Sequence, residues 1–157
     1  YQTAALNLHN TLRTQHRAVQ MKLDSSLNAG AQNCSVIYAT KGTIDHSCKT
    51  PSSTGENLYM SYGYTTPPKP VDIAVQAVQA WYDENTLYNY ANPGSVSFSQ
   101  IGHFTQVVWN SSTVLGIGVS SIGNYTVVVG KYLPWGNMMG CGADGYDCFR
   151  QNVFPHV

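Results

Sequence analysis

Four cysteines constrain this chain more than any other feature. Cys34, Cys48, Cys141 and Cys148 form two close pairs, neither with the C-x-x-C spacing of a thiolate zinc site or a thioredoxin-type motif. An even count in close pairs reads as two disulfides. Four cysteines allow three connectivities, and the local one, Cys34–Cys48 with Cys141–Cys148, is the expected one. Each bridge would close a loop of about 8–15 residues, worth roughly 2–3 kcal/mol in the chain-entropy model. The competing reading is four free thiols in a cytosolic protein.

Two disulfides place a chain outside the reducing cytosol. Asn33, Asn110 and Asn124 each open an Asn-x-Ser/Thr sequon and are candidate glycosylation sites. A chain this rich in Asn, Ser and Thr carries about two sequons by chance, so their number decides nothing. Tyr1 in place of an initiating Met fits a removed signal peptide or a trimmed chain. No run of apolar residues is long enough to span a bilayer. Only 10% of residues are charged, against a usual quarter, and eight basic residues balance eight acidic ones. That balance offers nothing to nucleic acid or to an anionic membrane surface.

Residues 3–17 read as a helix with Ala5, Leu8 and Leu12 on one face and His9, Asn10 and Arg13 as a polar set at its flank. Asp24 offers a cap for a second helix carrying Leu27, Ala31, Cys34 and Tyr38, which Gly42 ends. The segment 41–55 is polar and irregular. A Cys34–Cys48 bridge would fix its backbone two residues from His46. Residues 56–62 suit a short strand, 62–70 a turn-rich loop, and Pro70 the first turn of a third helix. That helix buries Ala74, Ala77, Val78 and Trp81, and Glu84 falls on the same stripe. A carboxylate there is either paired or left to water where the helix frays.

A long loop from 85 to 101 precedes Gly102-His103-Phe104-Thr105-Gln106-Val107-Val108-Trp109. Read as a helix starting at Gly102, this stretch buries Phe104, Val107 and Val108 and leaves His103 beside Gln106 at the edge of the face. Residues 114–119 and 125–129 read as strands joined by a hairpin at Ile122-Gly123-Asn124, and the tail from Leu133 as a loop stapled by the second cysteine pair. Gly116-Ile117-Gly118 is no dinucleotide fingerprint, because Ser121 stands at the third glycine position. The expectation is one α+β domain over 1–157, layered, with an antiparallel sheet in the middle.

No H-E-x-x-H, G-x-S-x-G or phosphate-binding glycine loop is present. The remaining candidates for chemistry are His46, Glu56, Glu84 and His103, and spacing alone does not bring them together. For a lone histidine near an apolar face, a structural role is the commoner outcome.

Gly102–Trp109 and Tyr132-Leu133-Pro134-Trp135-Gly136-Asn137 resemble the two signatures of the CAP superfamily, the group of cysteine-rich secretory proteins, insect antigen 5 and plant pathogenesis-related 1. His9-Asn10-x-x-Arg13-x-x-His16, His46-Ser47, Gly55-Glu56-Asn57-Leu58 and Ala80-Trp81-Tyr82-Asp83-Glu84 extend the resemblance in family order over nearly the whole chain. It implies a three-layer α-β-α sandwich with a central cavity. His46, His103, Glu56 and Glu84 match the residues that face that cavity in relatives and there hold zinc or another divalent cation, the carboxylates often acting through water. Two imidazoles and two carboxylates suit Zn²⁺ in ligand type. The competing role is a buried hydrogen-bonded network.

The resemblance also implies secretion, and binding of sterols, fatty acids or related lipids. Tyr59, Tyr62 and Tyr64 are then candidate lipid contacts, although Lys69 interrupts the spaced-aromatic pattern of sterol-binding relatives, and Leu12, Ala74 and Val78 are candidate walls for a fatty acid. Alternatives are a secreted ligand of a receptor, channel or immune protein, and a metal-dependent hydrolase with Glu56 or Glu84 as base. A binding role is expected over an enzymatic one. The chain departs from most secreted relatives in having Ile117 and Gly130 where they carry cysteines, and Leu23 where many have Trp. The missing cysteine pair and the tail Asn152-Val153-Phe154-Pro155 resemble the Golgi-associated intracellular branch.

Overall fold

The first three helices follow the local signals closely in the computed structural model, which describes residues 1–157. The helices are α1 (Gln2–Gln15), α2 (Ser25–Lys41), α3 (Pro70–Asp83), α4 (Phe98–Val108) and α5 (Asp147–Asn152). The strands are β1 (Lys22–Leu23), β2 (Gly55–Tyr62), β3 (Val114–Ile122) and β4 (Tyr125–Leu133). Asp24 caps α2 by accepting the Leu27 amide at 2.9 Å, and Gly42 ends it at φ 70°. Pro70 occupies the first turn of α3. The β3–β4 hairpin closes on Gly123 and Asn124 between paired Ile122 and Tyr125, with Gly123 at the positive φ that such a turn demands.

The sheet runs β1-β3-β4-β2, so β2 is an edge strand. Its three long strands pair antiparallel as expected, and β1 adds two residues parallel to β3. Two residues are too few to leave an alternating pattern in the sequence. On one face α2 covers Leu58, Val127 and Val129. On the other, α1, α3 and α4 enclose Leu115, Ile117, Val119, Val128 and Tyr132. This is the α-β-α sandwich. Gly118 lets α2 lie against β3, since a Cβ there would overlap the backbone of Ala31 and Gln32. Ile117 and Gly130 are register partners, so the cysteines expected there in relatives would face each other across the hairpin.

Both expected disulfides, Cys34–Cys48 and Cys141–Cys148, are formed. Three readings need correction. Gly102 lies inside α4, which begins at Phe98; a Cβ on it would meet the Phe98 ring at 2.8 Å. The tail contains a helix, α5, held by Phe149, which packs edge-on against Trp109 and against Tyr146. The polar set on α1 is no flank: His9 and Arg13 are fully buried.

Arg13 shows how a buried charge is satisfied without a carboxylate. Its guanidinium donates to the carbonyls of Val19, Val107, Trp109, Asn110 and Ser112 at 2.7–3.3 Å. Val107 and Trp109 sit at the C-terminal end of α4, where orphan carbonyls and the helix dipole favour a cation. Burial pulls the Arg13 pKa down to about 10, so it stays charged at neutral pH.

Candidate functional site

His46 belongs to the loop between α2 and β2 and stands at a left-handed φ of 59°. Such a backbone persists in a non-glycine residue only where its surroundings impose it. Here Lys41 donates to Asp45 and Ser47, the Ser47 amide donates back to Asp45, and the Cys34–Cys48 bridge anchors the next residue but one. The Tyr38 hydroxyl on α2 accepts the Cys48 amide at 3.0 Å and donates to Glu56. The disulfide therefore does hold the histidine loop.

The Glu56 carboxylate accepts from His46 Nδ1 at 2.8 Å, from Lys131 Nζ at 2.7 Å and from Tyr38. Glu56 and Lys131 are cross-strand partners on β2 and β4. Burial alone would raise the Glu56 pKa, but the hydrogen bonds of His46 and Lys131 and the ammonium charge outweigh it, holding the carboxyl below the ordinary glutamate range.

His103 has the matching arrangement on α4. Its Nδ1 lies 2.8 Å from Glu84 Oε2, while Glu84 Oε1 accepts the amides of His103 at 2.9 Å and Phe104 at 3.1 Å. Glu84 follows directly on α3, in a short 3-10 turn, and its carboxylate reaches across to the middle of α4. It is paired and does not fray into water. The Trp81 ring stacks against His103 at 6.3 Å. In both pairs the carboxylate fixes the proton on Nδ1 and leaves Nε2 as the free lone pair.

A cavity of about 240 Å³ lies between the two histidines, lined also by Glu56, Asn57, Phe98 and Asn137. It wraps the open edge of β2, so His46 enters from the α2 layer and His103 from the opposite layer. Glu84 stands behind His103 and does not line it. No group of three or more His, Cys, Asp or Glu side chains is placed to hold a metal ion together.

Several residues here escaped the sequence reading. Asn57 Nδ2 donates to the His103 carbonyl at 3.1 Å and to the Tyr132 hydroxyl, which in turn meets His9 Nε2 at 2.8 Å. Asn137 donates to the Gly102 carbonyl and accepts from Thr105, and Gln106 accepts the Gly136 amide. These bonds sew the two signature stretches together. The only signal that could have found them was membership of the motifs, since a polar residue carries no periodicity of its own.

The aromatic candidates are not gathered. Tyr59 faces α3, accepting from Gln76, whereas Tyr62 is 74% exposed and approaches Tyr125. Tyr64 accepts from Ser61. Leu12, Ala74 and Val78 are packed together in the core. Among the sequons, Asn110 uses its side chain to accept the Val19 amide, Asn33 precedes the bridged Cys34 within α2, and Asn124 is exposed at the hairpin tip.

Residues 6–132 match the family model described as CAP, the cysteine-rich secretory protein family. The chain is 36% identical to Protein PRY2 of Saccharomyces cerevisiae over 99% of its own length, and spans 41% of that protein. It is 32% identical to the human Golgi-associated plant pathogenesis-related protein 1, covering 99% of this chain and 93% of the relative. Among solved structures, Na-ASP-1 aligns with TM-score 0.72 at 25% identity, covering 88% of this chain and 39% of that one. NaASP2 with Zn²⁺ aligns with TM-score 0.68 at 25% identity over 98% and 85% of the two chains.

Proposed function

We propose, from the premise that the chain belongs to the CAP family of cysteine-rich secretory proteins, that it is a secreted binding protein whose cavity holds a divalent cation. The observation that carries this reading is the pairing of each cavity histidine with its own carboxylate. A carboxylate on Nδ1 sets the tautomer, orients the ring and raises the basicity of Nε2, the arrangement found behind metal-ligating histidines. His46 and His103 would be the ligands, with Glu56 and Glu84 orienting them; the cavity leaves room for water at the other positions. Bound, the ion would supply a Lewis-acid centre. The structure of NaASP2 with Zn²⁺, a neighbour at 25% identity, supports the same ion class.

A binding role also fits the carboxylates better than hydrolysis does. Both Glu56 oxygens are occupied by the donors Tyr38, His46 and Lys131, and Glu84 is committed to two amides and an imidazole, so neither is free to take a proton from a reacting group. Titration calorimetry with zinc tests the proposal. Binding should be present in the parent chain and lost in His46→Ala and in His103→Ala; an unchanged affinity in either variant removes the site.

A second reading, capture of a sterol or fatty acid, rests on the exposed Tyr62 ring at the end of β2, next to the Gly63–Lys69 loop. Sterol retention in a filter assay should then fall in Tyr62→Ala, and no uptake of sterol or fatty acid by the parent chain would end it. Secretion is supported by the two disulfides, and glycosylation would fall on the exposed sequon residues Asn33 and Asn124. No helix is long and apolar enough to cross a membrane.

A further inference from the structure

A second cavity, of about 190 Å³, lies on the other side of His46 and has a different chemistry. Its wall includes Lys49, Ser52, Ser53 and Lys131 together with His46 and Glu56. The Lys131 side chain is only 2% exposed, and its ammonium donates to Glu56 Oε2 at 2.7 Å and to the Cys48 carbonyl at 3.2 Å. An ammonium has three donors, so one remains beyond these two. The Glu56 carboxylate balances its charge, but a buried ammonium lining a cavity with a donor still unspent suits an acceptor there, and an anion best.

The other wall groups point the same way. Both Glu56 oxygens are already engaged, by Tyr38, His46 and Lys131, so the one carboxylate present has little left to offer a cation. Two ammonium groups oppose that single carboxylate, leaving the wall net positive. Lys49, Ser52 and Ser53 form the exposed rim of the cavity with their side chains free of protein partners, and Ser53 holds a left-handed φ of 61°, unfavourable for a residue with a side chain. Hydroxyl and ammonium donors surrounding a small polar cavity match a tetrahedral oxyanion, which accepts from several directions at once.

We propose that this cavity binds a phosphate group, with Lys131, Lys49, Ser52 and Ser53 as donors. The site adjoins the cation cavity across the shared His46–Glu56 wall but has its own donors: Lys131 and Lys49 do not line that one, and His103 does not line this one. A phosphate monoanion or dianion in solution and the headgroup of a phosphorylated lipid share this chemistry.

The test is an amide-resolved NMR titration of the full chain with inorganic phosphate at constant ionic strength, with a chelator present so that no ion in the neighbouring cavity contributes. Saturable shifts at Lys49–Thr54 are expected, with the midpoint raised about fivefold in Lys49→Ala, the scale of an exposed charge contact. His103→Ala should leave the phosphate titration unchanged, whatever its effect on zinc, so the two proposals fail separately. Absence of saturable shifts at tens of millimolar phosphate, equal shifts with chloride, or an unchanged midpoint in Lys49→Ala overturns the site. Sedimentation with phosphatidylcholine vesicles, with and without phosphatidylinositol phosphate, identifies the source. Phosphate-lipid binding lost in Lys49→Ala supports a headgroup, and phosphate binding without vesicle binding supports a free phosphate.

Discussion

His9 makes the stability of this fold fall on mild acidification, by an amount the structure sets. The ring is fully buried, donates from Nδ1 to the Ala5 carbonyl at 2.8 Å, and accepts at Nε2 from the Tyr132 hydroxyl at 2.8 Å. Burial lowers its pKa from 6.5 to about 4; the Ala5 carbonyl opposes the shift and the Arg13 charge adds to it. Protonation would also reverse the chain of bonds. Tyr132 already accepts from Asn57, so a second donor at Nε2 would leave its own proton without an acceptor. In the unfolded chain the imidazole takes up its proton near 6.5. The stabilisation is therefore complete above that pH and is lost as pH falls toward 4, a total of about 3 kcal/mol. At pH 5 the loss should be about 2 kcal/mol. Glu56 acts in the same direction but lower, because its lowered pKa gives stability that is lost only as pH falls below the glutamate range. Urea unfolding at pH 7.5 and pH 5, followed by tryptophan fluorescence, measures the difference. His9→Gln keeps an acceptor for Tyr132 and cannot titrate, so its loss over the same interval should be smaller by about 2 kcal/mol. His16, also lowered by burial, contributes equally to both proteins and cancels. Equal losses in the two proteins, or a folded-state His9 titration near 6.5 by NMR, would refute the reasoning.

Glu84→Gln should lower zinc affinity roughly 10- to 100-fold with the circular dichroism spectrum intact, because a carboxamide has a single acceptor oxygen and its NH2 can only donate, so it cannot serve both the His103 Nδ1 proton and the two backbone amides. Arg13→Met leaves five carbonyls without their donor and should cost about 4 kcal/mol or more in chemical denaturation, with Arg13→Lys recovering only part. Gly118→Ala should cost about 3 kcal/mol by the same measurement, since the backbone of α2 has to move to admit a methyl group. Cys34→Ser with Cys48→Ser should lower stability by roughly 2–3 kcal/mol and sharply raise amide exchange across residues 43–48, where the left-handed His46 is held.

Local chemistry wrote most of the fold into the sequence. The Asp24 cap, the Pro70 start, the Gly42 stop and the hairpin at Gly123 each act through one or two residues, and each was readable as such. Elements defined by tertiary contact were not. β1 exists because Lys22 and Leu23 meet Val114 and Leu115, and α5 because Phe149 finds Trp109. The burial of His9 and Arg13 was likewise invisible, since polarity argued for the surface, and the interior is acceptable only because Arg13 finds the carbonyl array at the end of α4 and His9 finds the Ala5 carbonyl and the Tyr132 hydroxyl. For the site, the Cys34–Cys48 anchor was legible, and Glu84 on an apolar stripe flagged a carboxylate in need of a partner. That His103 was the partner required the family motif, because the two residues are joined only through the packing of α3 on α4.

The organising element of the site is then the start of β2. Successive strand residues point to opposite faces. Glu56 consequently turns to the α2 side, where it fixes His46, and Asn57 to the other side, where it ties down the His103 carbonyl. Leu58 offers its carbonyl to Trp81 Nε1 at 2.9 Å, placing the ring that stacks on His103. Gly55 has to lack a side chain because a Cβ would collide with Gln106, which itself holds Gly136. A one-residue slip of β2 against β4 would exchange the faces, carrying Glu56 away from His46 and Lys131 together. The four residues Gly55-Glu56-Asn57-Leu58 thus register both histidines against a single sheet edge. Both cavities share the His46–Glu56 wall that this register creates.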